Sequence, residues 1–276
     1  MKTFKDPGKL QKWCRARRLE GRKIALVPTM GYLHEGHLSL IEAARRRGAD
    51  EIVVSVFVNP VQFCPGEDYE KYPRDEKADY AKCKAAGATA IFFPTPANMY
   101  LDRHSVYVNE EDLSRGLCGA RRPGHFRGVC TVVAKLFNLT HPDFAVFGQK
   151  DYQQAQIIRR MVRDLNFDLD IVVAPIVREP SGLARSSRNT YLSADEKEMA
   201  LAISGGLFAL RDSLAGMRPM TLRQLSARLE KAGLRVDYVS CVDAETLEPS
   251  AKPKKGSCVL VAAYCGKTRL IDNILL

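Results

Sequence analysis

The strongest constraint in this sequence is a rhythm: a short apolar run, a turn, then an amphipathic stretch, repeated through the first two-thirds of the chain. KIALVPT (Lys23–Thr29) reads as a buried strand, and HLSLIEAARRRG from His37 as a helix stopped at Gly48. EIVVSVFVN from Glu51 reads as a second strand, followed by the helix RDEKADYAKCKAAG and the strand ATAIFFP. After a polar, less regular stretch come the helix RGVCTVVAKLFNLT, the strand FAVFG, the helix DYQQAQIIRRMVRDL and the strand DIVVAPIV. Strands that are apolar without alternation are covered on both faces, and intervening helices supply the crossovers that parallel pairing needs. The expected fold is α/β: a Rossmann-like parallel sheet over residues 1–176, with a smaller α+β C-terminal domain over 177–276. In such sheets ligands bind beyond the carboxyl ends of the strands, here just after Thr29, Val58 and Phe147.

The pattern changes after Ile176. VREPSGLARSSRNTYLS, from Val177, is rich in Gly, Ser and Pro and reads as a loop or linker. Ser193–Glu196 and Thr221–Gln224 each have the form of a capping box opening a helix. RVDYVSCVD, SCVLVAAYC and TRLIDNI then read as antiparallel strands.

Composition excludes several classes. With 46% apolar and 27% charged residues the chain is an ordinary globular one. No segment approaches the roughly 18 unbroken apolar residues of a membrane span. The N-terminus has no apolar stretch with a small-residue cleavage site, so a cytoplasmic protein is expected. Its eight cysteines are scattered singly, without a C-x-x-C pair, which suits reduced thiols rather than zinc. The net charge of +10 fits either a nucleic-acid surface or an anionic small substrate. The basic clusters RARR, RRR and KPKK are short and not interleaved with aromatics, which favours the small substrate.

The stretch PTMGYLHEGHLSLI (Pro28–Ile41) places His34 and His37 three residues apart, between a strand and a helix. They do not match H-E-x-x-H, Gly36 is expected to interrupt the helix between them, and no nearby cluster completes a zinc site. The other readings are a core histidine pair and an anion grip. Position favours the grip, because the first N–H groups of a helix lack partners and the macrodipole there is positive. Neither G-x-G-x-x-G nor G-x-x-x-x-G-K-[ST] occurs. Lys150 beside Asp151 reads either as a surface pair or as a functional pair at a strand end.

HEGH after a strand resembles the HIGH signature of the nucleotidyltransferase superfamily. The strings VPTMGYLHEGHLSLI, VFVNPVQF, KYPRDEKAD, RPGHFRGV, FGQKDYQQ, GLARSSRN and DYVSCVDAETLEP, in that order, resemble the pantothenate synthetase (pantoate–β-alanine ligase) family along essentially the whole chain. The resemblance implies a ligase of pantothenate and coenzyme A formation. Such an enzyme joins (R)-pantoate to β-alanine through a pantoyl adenylate, an acyl adenylate, releasing pyrophosphate and then AMP.

By the resemblance, His34, His37 and Lys150 hold the ATP phosphates, and Gly148 and Asp151 meet the ribose. Pro28, Met30, Gly31 and Val177 complete the nucleotide contacts, with pantoate also packing on Met30. Gln62 and Gln154 hold pantoate, while Asn59, Tyr72, Arg122 and His125 receive β-alanine. Ser186, Ser187 and Arg188, in the counterpart of the KMSKS loop, close over the triphosphate, making the C-terminal domain a lid. Magnesium arrives with ATP, with Asp79 as its candidate ligand. The family commonly forms homodimers, and no nucleic acid or membrane partner is expected. This chain departs from the family pattern at Gln149, where many relatives carry glutamate, and at Arg185, where methionine is usual. The competing readings are another adenylyltransferase of the superfamily and an RNA-binding module with a decayed site.

Overall fold

The computed structural model describes all 276 residues. In chain order its elements begin with β1 (Lys2–Phe4), α1 (Pro7–Leu19), β2 (Ile24–Thr29), α2 (Glu35–Arg46), β3 (Glu51–Val56) and α3 (Glu76–Ala85). They continue with β4 (Ala90–Phe92), α4 (Pro96–Met99), α5 (Leu117–Arg121), α6 (His125–Thr140), β5 (Phe144–Gly148), α7 (Tyr152–Asp164) and β6 (Asp170–Ala174). The last are α8 (Ala194–Ser213), α9 (Leu222–Lys231), β7 (Arg235–Asp243), β8 (Ser257–Cys265) and β9 (Thr268–Leu275). The chain divides into two units, Met1–Gly148 with Ile157–Ala174, and Gln149–Gln156 with Pro175–Leu276. Gln149–Gln156, expected in the first domain, thus groups with the second unit.

The first unit carries a six-stranded sheet in the order β1-β4-β3-β2-β5-β6, parallel throughout. Strand β1 is unannounced by the rhythm, being three residues long and pairing Lys2–Phe4 with Ala90–Phe92. Ala25 and Val27 of β2, with Ile52 and Val54 of β3, pack against Leu40, Ile41 and Ala44 of α2 and Cys83 of α3. Successive strand residues face opposite sides, so the buried Ile24 and Leu26 turn to the face that α1 and α6 cover.

Helix α6 shows which force dominates. Its N-cap Gly124 offers no side-chain cap, yet Val129, Val133, Leu136 and Phe137 are all at most 3% exposed. A missing cap costs about 1 kcal/mol, whereas each such buried side chain contributes roughly 1.5–3 kcal/mol. Packing therefore holds α6.

The strand order reverses between β2 and β5, whose carboxyl ends are Thr29 and Gly148. Crevices for ligands open at such reversals, because the two crossovers leave the sheet in opposite directions.

In the second unit, β7, β8 and β9 form an antiparallel sheet in that order. Leu207 and Leu210 of α8 and Leu225 and Leu229 of α9 pack with Val259, Val261 and Ala263 of the central strand β8. Both anticipated capping boxes form, Ser193 with Glu196 and Thr221 with Gln224. The stretch from Val177, expected to be a loop or linker, is a loop held in place by turns and packing. Glu179–Gly182 makes a tight turn with Pro180 at its second position, Arg178 bridges Ala184, and Leu183 and Ala184 are 5% exposed. Leu183 joins the core of this unit, which pins a segment whose composition alone reads as flexible. No helix of the chain is long and apolar enough to cross a membrane.

Candidate functional site

The turn after β2 is built by backbone geometry first. Gly31 has φ +85°, and a Cβ there would lie 2.8 Å from Val56 Cγ1 and 3.0 Å from Asp79 Oδ2, so only glycine fits. Tyr32 follows at φ +52°. Asp79 of α3 stabilises this unusual pair: its Oδ2 accepts Tyr32 N–H at 2.8 Å and its Oδ1 accepts Leu33 N–H at 2.7 Å. Lys82, one turn on, donates to Leu33 O at 2.6 Å. Asp79 is 1% exposed; burial raises its pKa, and the two N–H groups and Lys82 oppose that rise. The carboxylate thus shapes the turn. No group of three or more His, Cys, Asp or Glu side chains could hold a metal ion.

Helix α2 starts earlier than the sequence suggested. His34 is its N-cap, and Gly36 lies inside its first turn instead of interrupting it. His34 Nδ1 accepts Gly36 N–H at 3.1 Å, and His37 Nδ1 accepts His34 N–H at 3.2 Å, with the rings 4.1 Å apart. The pair forms a reciprocal cap with imidazoles in the usual roles of Ser and Glu. A ring nitrogen that accepts carries no proton, so each neutral ring bears its N–H at Nε2. The helix start therefore holds two imidazoles with their protons on Nε2, beside a positive dipole end.

Next to this turn lies a hydrogen-bonded cluster. Gln62, 8% exposed, points its Nε2 at Met30 Sδ (3.3 Å), and its Oε1 accepts from Asn59 Nδ2 at 3.0 Å. Asn59 is 1% exposed; it also donates to Gly128 O at 3.2 Å, while its Oδ1 accepts from Tyr100 OH (2.8 Å) and Val61 N–H. Asn59 is engaged on every side and fixes the amide of Gln62. Helix α6 can approach because residue 128 is glycine: a Cβ there would lie 2.4 Å from Val61 O.

His125, 7% exposed, joins Gln62 O through Nδ1 (2.8 Å) and Arg122 Nη1 through Nε2 (2.9 Å). A carbonyl only accepts and an arginine only donates, so His125 is neutral with its proton on Nδ1. Arg122 in turn is gripped bidentately by Glu67. Tyr72, 5% exposed, packs edge-on against Phe63 with ring centroids 6.0 Å apart. Of the expected substrate residues, Met30, Asn59, Gln62, Arg122 and His125 are thus one bonded cluster. Pro28 lies in β2, opposite Ser55 of β3.

In the second unit, Gln149–Asp151 forms a 3-10 turn directly after β5. Asn273 of β9, 2% exposed, clamps it: Nδ2 donates to Gln149 O (2.9 Å) and Lys150 O (3.0 Å), and Oδ1 accepts Gln149 Nε2 (3.1 Å). Lys150 Nζ stands 3.9 Å from Asp151 Oδ1, a loose contact that leaves its charge available. Gln154 is half-buried on α7. Ser186 caps the 3-10 turn Ser187–Tyr191 by accepting Arg188 N–H at 3.3 Å, and Ser187 is 6% exposed. Val177 O accepts Arg185 N–H, and Arg178 bonds Asp272 through both terminal nitrogens at 2.6 and 2.9 Å.

Glu67, Tyr100, Asp272 and Asn273 escaped the sequence reading. Each acts on a partner 41 to 124 residues away, and no local pattern marks such a pair. All eight cysteines are free thiols, and burial pushes those of Cys14, Cys83, Cys130 and Cys258 up to about 12, which keeps them unreactive.

The profile of the pantoate-beta-alanine ligase family matches residues 2–275. The chain belongs to this family. Pantothenate synthetase of Myxococcus xanthus is 54% identical over 100% of this chain and 95% of its own. That of Anaeromyxobacter dehalogenans is 56% identical over 97% and 96%. Among solved structures, the Thermus thermophilus pantothenate synthetase superposes with a TM-score of 0.90 at 43% identity, covering 99% of each chain. The Francisella tularensis pantoate-beta-alanine ligase, solved with β,γ-ATP and β-alanine, gives 0.85 at 33% identity over 100% of this chain and 97% of that one. A full-length match to one ligase family favours neither the other-adenylyltransferase reading nor the RNA-binding one.

Proposed function

We propose that this pantoate–β-alanine ligase family member condenses (R)-pantoate with β-alanine in two steps. A pantoate carboxylate oxygen attacks the α-phosphorus of ATP and pyrophosphate leaves. The amine of β-alanine then attacks the acyl carbon, and AMP leaves. The observation that carries this reading is the reciprocal cap of His34 and His37 at the start of α2, which commits both Nδ1 atoms to backbone and leaves the proton of each neutral ring on Nε2. The first step builds charge on the α-phosphate and the departing pyrophosphate, and donors already oriented for it need no rearrangement.

In this assignment Lys150 adds a point charge to the phosphates, and Ser186, Ser187 and Arg188 add donors. Pro28, Met30, Gly31 and Val177 line the nucleotide, and Gly148 and Asp151 meet its ribose. Gln62 and Gln154 hold pantoate, since an amide both donates to a carboxylate and accepts from hydroxyls. Arg122 receives the carboxylate of β-alanine, His125 orients Arg122, and Tyr72 walls this part. Magnesium would arrive with the triphosphate and offset its charge, with Asp79 as the candidate protein ligand. The enzyme works in the cytoplasm as a homodimer.

Incubation with ATP, pantoate and β-alanine tests the proposal. AMP and pantothenate should appear in equal amounts, and neither should form without pantoate. Turnover of ATP that ignores pantoate would reject it.

A further inference from the structure

Arg122 has a partner that the sequence does not announce. Glu67 accepts Arg122 Nε at 2.6 Å and Nη2 at 2.7 Å, a side-on bidentate ion pair whose side chains are only 24% and 18% exposed. Glu67 Oε2 also accepts Cys64 N–H at 3.1 Å, so the carboxylate is anchored to its own turn. A second link, Cys64 Sγ–H to Pro123 O at 3.4 Å, joins the same two segments. Burial pushes the Glu67 carboxyl up, but the hydrogen bonds and charge of Arg122 outweigh it and hold the group below the usual carboxylate range.

The far side of the guanidinium is held too, by His125 Nε2 on Nη1. Three of Arg122's five N–H groups are therefore engaged, leaving one on each terminal nitrogen. Those two can take one more carboxylate. A free arginine side chain samples many rotamers, whereas this one is fixed on two sides. The two remaining N–H groups consequently stand at a set distance from Gln62, whose backbone carbonyl anchors His125.

We propose that Glu67 is a positioning residue: it fixes the place and direction of Arg122 for the carboxylate of the amino-acid substrate. It thereby sets which amino-acid chain length brings the amine to the acyl carbon. The inference rests on the assignment of Arg122 made above. An anchored guanidinium acts as a ruler, and a loose one would accept shorter or longer spacers at lower affinity.

The test uses Glu67→Gln, Glu67→Asp and Arg122→Ala in the full chain. Three quantities are read: KM for β-alanine, the ratio of kcat/KM among glycine, β-alanine and γ-aminobutyrate, and pantoate-dependent ATP–pyrophosphate exchange, which involves no amino acid. Glu67→Gln should raise the β-alanine KM on the order of tenfold, flatten the chain-length preference, and change exchange far less. Glu67→Asp keeps the charge and should recover part of both losses. If Arg122→Ala raises KM while both Glu67 variants leave KM and preference unchanged, the positioning role is wrong and the Arg122 assignment stands. If Arg122→Ala leaves KM unchanged, the assignment falls and the positioning role with it. Equal loss of exchange and overall turnover in the Glu67 variants would make the pair a structural brace and overturn the proposal.

Discussion

His37 Nδ1 accepts the backbone N–H of His34, so the second histidine of the motif caps the helix that the first begins. In the function proposed above, its imidazole has two separable tasks. His37→Ala should lose about 1 kcal/mol of stability with the cap, and turnover should fall roughly 10²- to 10³-fold with the phosphate donor. His37→Gln can reach back to the same N–H and should keep the stability while losing the turnover. Thermal unfolding alongside the AMP assay checks this. Full activity in the glutamine variant would reduce His37 to a cap.

Asp79 holds the turn through two backbone N–H groups and is almost wholly buried. Asp79→Ala leaves both donors without it and should cost roughly 2–4 kcal/mol. Asp79→Asn keeps one acceptor and should cost less. Raising magnesium tenfold in the assay separates the two tasks. Turnover regained would assign Asp79 to the ion as well, and none regained would leave it the turn alone.

Asn273 meets the Gln149–Lys150 turn with two donors and one acceptor. Asn273→Asp replaces those donors by oxygens facing two carbonyls and should destabilise the second unit by about 1–3 kcal/mol. Gln149→Glu loses one hydrogen bond and should cost less. Denaturant unfolding of both variants gives the order directly, and the reverse order would refute the clamp.

The Glu67–Arg122 pair also predicts acid behaviour. Its folded-state pKa is depressed, so the native protein binds the proton less readily than the unfolded chain does. Its stabilisation is complete above the ordinary glutamate value of about 4.3 and is lost as pH falls through the folded value. Unfolding free energy measured from pH 6 downward should fall more steeply for the natural chain than for Glu67→Gln. Parallel curves would show that the pair contributes nothing to acid stability.

Much of the fold was legible because burial writes itself into local patterns. Continuous apolar runs marked β2 to β6, amphipathic stripes marked α2, α3, α6 and α7 between them but not the short α4 and α5, and Ser193 and Thr221 announced α8 and α9. Strand β1 and helix α1 escaped. One is three residues long, and the other presents only Leu10 and Cys14 to the core among many charges.

What the sequence determined by itself was the alternation of β2 to β6 with their main helices and the parallel sheet, since periodicity and turn residues act over a few neighbours. Only the tertiary structure decided the tautomers of His34, His37 and His125, the turn-holding task of Asp79, and the partners of Arg122 and Gln149. Those depend on which donor meets which acceptor across tens of residues. No period or spacing along the chain encodes such a meeting; packing creates it.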